Sequence, residues 1–186
     1  IEAKKVAPTQ LEPARLAQLR KTPRGARVLA GTLAPTRAKV VREYADALKL
    51  KGDATRGKKL FARHCAACHR LEGIGHTVGA DLLAALRGKD ADTLLIDILD
   101  PSREVDPRYL SYQVRTIRGV TFTGLIAADT ATSLTLRRGE GAEDTVPRRL
   151  IESVESTGLS LMPEGFEQHL SRQDLADLIR YLQGVR

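Results

Sequence analysis

Two cysteines followed at once by a histidine constrain this chain more than anything else in it. Cys65-Ala66-Ala67-Cys68-His69 contains both cysteines of the 186 residues and one of four histidines. Two thiols at this spacing, with the next side chain an imidazole, form the attachment pattern of a c-type haem. Each thiol can add to one vinyl group of the porphyrin, which pins the macrocycle so that His69 aims a ring nitrogen at the iron. A fold built around that haem would have to wrap a flat apolar group. The composition agrees, with 3 Phe, 4 Tyr and no Trp leaving room for bulk supplied from outside the chain.

Three other readings of the motif compete. A redox Cys-x-x-Cys belongs on a strand-to-helix turn, and no strand pattern precedes Cys65. A structural zinc needs four ligands, for which Cys65, Cys68, His69 and His76 are the candidates, although adjacent Cys68 and His69 suit spaced ligand pairs poorly. A disulfide across two residues is strained.

The residue at the iron's remaining position separates electron transfer from ligand chemistry. Met162 is the single methionine. It stands in Ser160-Leu161-Met162-Pro163, just before the last helical pattern, and a thioether there suits electron transfer. A lone Met is also an ordinary core filler, and His76 and His169 are the competing ligands. His64 reads as a helix-face residue, and Arg70 as a solvated cation or a partner for a propionate. A ligating imidazole needs an acceptor for its second nitrogen, and the backbone near Gly79 and Ala80 can provide one.

The organisation around the motif is mixed. Arg37 to Leu50 has helical spacing of Val40, Val41, Tyr44 and Leu48. Asp53 caps a predicted helix to His64 with Gly57, Leu60, Phe61 and His64 on one face. A glycine-spaced loop (Gly73, Gly75, Gly79) follows. Asp90 caps a helix carrying Leu94, Leu95, Ile98 and Leu99 and stopped by Pro101. The period then becomes two: Leu110 to Val114, Val120 to Ala127 and Ser133 to Arg137 read as strands joined by glycine turns, with Val146 and Leu150 to Val154 as further short ones. Ser171 and Asp174 form a capping-box pattern before the stripe Leu175, Leu178, Ile179, Leu182.

The fold class expected is therefore α+β, a mainly helical core with an inserted small antiparallel β-barrel or sheet, preceded by a helical N-terminal arm. The divisions are a basic arm or linker over 1–50, a haem core over 51–108 plus 157–186, and a β-rich insertion over 109–156. All of the net charge of +7 lies in the first fifty residues. Those cations are scattered and no aromatic residue precedes Tyr44, so a solvated arm is expected rather than a nucleic-acid surface. No apolar run is long enough to cross a bilayer. The start at Ile1, without signal-peptide character, reads as a mature or excised piece.

On these residues the chain resembles the haem-binding domain family of Planctomycetes and Verrucomicrobia, a variant of the class I cytochrome c fold. The likeness runs from about Gly52 to the C-terminus. It is carried by Gly52-Asp53-Ala54, Gly57, Leu60-Phe61, the Cys65–His69 motif with Arg70-Leu71, Gly75, Val78-Gly79, Asp81-Leu82, Ile98-Leu99-Asp100-Pro101, Tyr109, Met162-Pro163 and Asp177 to Leu182. The resemblance implies one covalent haem c held by Cys65 and Cys68 against Gly79 and Ala80, with His69 and Met162 as iron ligands. It implies an electron-transfer module without catalytic side chains, at the C-terminal end of a larger exported protein. A dehydrogenase-like donor and a cytochrome acceptor are the partners it implies. Haem attachment outside the cytoplasmic membrane places such a domain in the periplasm or an equivalent compartment. Where the family has Gly-Pro-Asp-Leu, this chain has Gly79-Ala80-Asp81-Leu82, so the rigid proline behind the histidine is absent. The 92 residues between His69 and Met162 are long for a minimal cytochrome, and the β-rich insertion accounts for them. Two other functions remain open: a haem c enzyme or gas sensor with an open or weakly ligated iron, and a zinc-stabilised binding module.

Overall fold

The computed structural model describes residues 37–185. Of the arm expected over 1–50, residues 1–36 lie outside the described residues. Its last part does form helix: α1 (Arg37–Tyr44) continues as a 3₁₀ turn over Ala45–Lys49. Helix α2 spans Ala54–His64, and the Asp53 carboxylate accepts from the Thr55 and Arg56 N–H groups at 2.8 and 3.2 Å. Short α3 (Leu82–Ala85) stands between the glycine-spaced loop and the helix capped by Asp90, where the sequence marks no element. It is a single turn started by Asp81, which accepts from Leu83 N–H at 3.0 Å. Helix α4 (Ala91–Leu99) is capped by Asp90, and α5 (Arg172–Gly184) by the reciprocal Ser171–Asp174 box.

Helices α2 and α5 cross at unusually close range, and Gly57 is why. A Cβ there would sit 2.0 Å from the Asp177 carbonyl oxygen, so only glycine lets the two backbones meet. Beside the crossing, the Phe61 and Tyr181 rings pack with centroids 5.8 Å apart. Leu94, Leu95, Leu99, Leu170, Leu175 and Leu178 complete a buried helical core, onto which α1 lays Val40.

The strands are β1 (Leu110–Thr116), β2 (Thr121–Asp129), β3 (Ser133–Arg137), β4 (Glu143–Pro147) and β5 (Ile151–Ser160). They make one antiparallel sheet of order β4-β3-β2-β1-β5. β4 pairs only with β3, and β5 only with β1, so the barrel alternative does not form and the sheet is open. It is nevertheless strongly curled. Its edge strands are joined by the three-residue turn Arg148–Leu150, and four Cα steps from Pro147 to Ile151 span at most about 15 Å. The same two edges in a flat five-stranded sheet would stand about 19 Å apart. The curl gives the sheet a core of its own in Val114, Leu134, Leu136 and Val146.

β5 runs four residues past the expected end of the insertion at 156. Glu155 to Ser160 has no apolar alternation and contains Gly158 at φ +68°, so its sequence reads as loop; pairing of Ser160 with Leu110 extends it as strand. The consequence is positional, because β5 delivers the chain directly to Leu161 and Met162.

Candidate functional site

Helix α2 does not stop at His64 so much as unwind into the motif. Cys65 N–H still donates to Phe61 C=O at 2.9 Å, and the Cys68 and His69 N–H groups both return to Cys65 C=O at 3.1 and 2.9 Å. This single turn gives Cys65, Cys68 and His69 a common face. The Cys68 carbonyl then accepts from Val78 and Gly79 N–H at 3.0 and 2.7 Å, folding the glycine loop back over the motif.

That fold-back fixes the imidazole. His69 Nδ1 lies 3.2 Å from the Ala80 carbonyl oxygen, which can only accept, so Nδ1 carries the proton and Nε2 presents a lone pair. Gly79 lies flat against the ring: a Cβ there would come within 2.5 Å of Cε1 and 3.0 Å of Nε2. Burial lowers the His69 pKa, opposed by the Ala80 hydrogen bond, so the ring is neutral at physiological pH. Burial also pushes the Cys65 thiol up to about 12, with the neighbouring Cys68 adding to the rise, and raises Cys68 as well. Both cysteines are free thiols. They lack the depressed pKa of a redox-active thiolate. Among the described residues, no three His, Cys, Asp or Glu side chains converge into a metal cluster.

The motif forms one wall of a cavity of about 890 Å³, within the size range of ligand and cofactor sites. Leu82 and Leu86 come from the α3 segment, Leu94 and Ile98 from α4, and Leu178 and Leu182 from α5. Leu161, Met162, Phe166 and Leu170 form another wall, and Leu125 reaches in from β2. The Met162 segment is held by backbone and hydroxyl groups: Leu161 N–H donates to Tyr109 C=O at 3.1 Å, and Met162 N–H to Ser160 Oγ at 3.1 Å.

Cys65, Cys68, His69, Gly79, Ala80 and Met162, dispersed over almost a hundred residues of sequence, thus line one cavity. His64, His76, His169 and Arg70 are not among its lining residues, and His76, His169 and Arg70 are exposed. The cations at the lining are instead Lys89, Arg103 and Arg108. Sequence reasoning passed over these, and over Leu125 and Phe166. Phe166, as one of three Phe and close to Met162, carried a signal; Leu125 carried none, because its place depends on how the sheet docks. That docking is visible at the 3₁₀ turn Gly139–Gly141 between β3 and β4, where Glu140 N–H donates to Ala67 C=O at 2.5 Å. The sheet therefore rests on the motif loop itself.

Compared with known protein families, residues 54–186 match the model of the cytochrome c family. No curated protein matches the chain.

Proposed function

The chain belongs to the cytochrome c family, and from that premise we propose that it is a monohaem c-type cytochrome domain working by outer-sphere electron transfer. Family membership implies haem c binding and an electron-transfer role; the single haem, its covalent tether and the ligand set are the finer reading. What supports it is the convergence of Cys65, Cys68, His69 and Met162 on one largely apolar cavity.

The donors fit the group. Cys65 and Cys68 are protonated free thiols of the kind that add to vinyl groups, and they would hold the porphyrin through two thioether bonds. His69, neutral and with its proton committed to Ala80, offers Nε2 as the proximal ligand. Met162 offers its sulfur from another wall. When bound, haem supplies an iron that gains and loses one electron. The chain's part would be to hold the His69 and Met162 donors on braced backbone, to exclude water with Leu94, Ile98, Phe166 and Leu178, and to favour the ferrous state with a thioether, which raises the potential. Arg103, exposed at the lining, is better placed than Arg70 for a propionate.

In the same reading the chain is of the Planctomycetes and Verrucomicrobia type, with a haem core over 51–108 plus 157–186 and the sheet inserted between. It is the C-terminal module of a larger exported protein, in the periplasm or an equivalent compartment, fed by a dehydrogenase-like donor and drained by a cytochrome acceptor. No helix among the described residues is long and apolar enough to cross a membrane.

The test is protein matured in a host able to attach haem. A mass increase of one haem that survives denaturation is expected, with a weak red band of sulfur-bound ferric iron that disappears in Met162→Ala. A colourless product with the mass of the bare chain would end the proposal. A coloured protein whose spectrum is unchanged in Met162→Ala, and which takes up carbon monoxide readily, would transfer it to the open-iron class.

A further inference from the structure

The Met162 wall of the cavity is tied down from outside the family domain. Arg37, the first residue of α1, lies well before residue 54, where the match to the cytochrome c family begins. Its guanidinium makes a two-pronged pair with Glu167, Nη1 to Oε1 at 2.7 Å and Nη2 to Oε2 at 2.8 Å. Its Nε donates to the Leu99 carbonyl at 2.7 Å, Nη2 donates to the same oxygen, and Glu164 Oε2 lies 3.8 Å from Nε. The Arg37 and Glu167 side chains are only 17% and 15% exposed, so water screens the pair little. Two turns along α1, Tyr44 Oη donates to the Glu167 carbonyl at 2.9 Å.

These contacts join two cavity walls. Leu99 ends α4, whose Leu94 and Ile98 line the cavity, and Glu167 sits in the 3₁₀ turn Phe166–Gln168, whose Phe166 lines it beside Met162. The turn is entered through Gly165 at φ +97°, a flexible point between Met162 and Glu167. Locally the far end of the segment from Met162 to Phe166 is held by the His169 and Leu170 N–H groups on the Phe166 carbonyl and by buried Leu170; the Arg37 contacts add the tie from this turn across to the end of α4.

We propose that Arg37, supported by Tyr44, is a positioning residue for the Met162 loop: α1 clamps the distal wall of the cavity and so sets how firmly the thioether is presented. The inference rests on the reading of Met162 as the distal ligand. An anchored loop makes displacement of the sulfur costly, because an incoming ligand must break the clamp or strain Gly165. A planar, two-pronged guanidinium does this where an ammonium on a flexible stem does not.

The experiment is titration of the ferric, haem-loaded protein with imidazole, alongside its red sulfur–iron band. Arg37→Gln and Glu167→Gln are each expected to bind imidazole about tenfold more tightly than the unmodified protein, equivalent to about 1.4 kcal/mol. The double variant should be no worse than Arg37→Gln alone, since Glu167→Gln removes only one part of the contacts that Arg37→Gln removes. Arg37→Lys should recover only part of the resistance. Tyr44→Phe, which keeps the salt bridge and the apolar ring, should shift affinity in the same direction by less and provides the comparison if Arg37→Gln does not accumulate. Glu152→Gln, which breaks an exposed ion pair on the sheet, should leave imidazole affinity unchanged. Unmodified protein that shows the band, with Arg37→Gln and Tyr44→Phe both matching its imidazole affinity, overturns the clamp alone. Unmodified protein without the band removes the Met162 reading and the clamp with it.

Discussion

Gly79 carries more of the site than its size suggests. Its φ lies outside the left-handed region, so its requirement is one of space: a methyl would enter the His69 ring within 2.5 Å of Cε1. The ring has little freedom to retreat, since its Nδ1 is bonded to Ala80, while Gly79 N–H is bonded to Cys68 C=O on the other side. Gly79→Ala is therefore expected to cost about 1–3 kcal/mol in chemical denaturation, the range for overpacking, and, if His69 ligates the iron as proposed, to perturb the electronic spectrum. Gly88 has the opposite problem, with φ at +72° and nothing within 4 Å of an added Cβ. Gly88→Ala should cost about 1 kcal/mol through backbone strain and leave the haem spectrum unchanged. A common loss in stability with a difference in spectrum would separate crowding of the ring from generic loop strain.

At the scale of elements, the contact of α2 with α5 depends on one buried carboxylate. Asp177 is 1% exposed and accepts from Asp53 N–H at 2.8 Å, Arg56 Nε at 2.6 Å and Gln173 Nε2 at 2.9 Å. Hydrogen bonding from Arg56 outweighs burial and holds the Asp177 pKa below the usual carboxylate value. A folded-state pKa below the unfolded one gives stability that is present above about pH 4 and lost as pH falls through the folded value. Urea unfolding of Asp177→Asn should show a deficit of about 1–3 kcal/mol at pH 7, narrowing below about pH 4 as the native carboxylate protonates. A deficit that stays constant to pH 3 would mean that the charge is irrelevant to the contact. This crossing was half legible in the sequence. The Asp53 cap, the Ser171–Asp174 box and the apolar stripes are local signals, and the helices they mark form where expected. That Gly57 must admit the Asp177 carbonyl depends on which helix arrives opposite, and the stripes do not encode that. The strands show the same divide. β3 carries its alternation and occupies the span read from it, whereas the far half of β5 is polar, and only its partner β1 makes it strand. At the site, the spacing of Cys65, Cys68 and His69 is a local signal, and the structure places all three on one cavity. Leu125 and the Arg37–Glu167 tie are products of tertiary docking and left no local mark.

On the scale of the whole molecule, the helices and the sheet have separate apolar cores, and most of the cavity wall comes from the helical one. The two parts should therefore respond differently to losing the cofactor. On the haem reading, the macrocycle covers Leu94, Ile98, Phe166 and Leu178; without it those apolar side chains face a water-accessible cavity of about 890 Å³ and lose the group they pack against. The helical walls are therefore the part of the fold that loses stability without haem. The sheet has no such dependence. Val114, Leu134, Leu136 and Val146 are each at most 4% exposed and pack against one another, and its links to the haem motif are few, chiefly Leu125 at the cavity and Glu140 on Ala67. The double variant Cys65→Ser, Cys68→Ser, purified without haem, should then lose much of its helical circular dichroism. Amide protons in the β1–β2 and β3–β4 ladders should stay protected in hydrogen exchange while those of α4 and α5 exchange quickly. Uniform loss of protection across strands and helices would show instead that the sheet is stable only while it rests on an intact haem core.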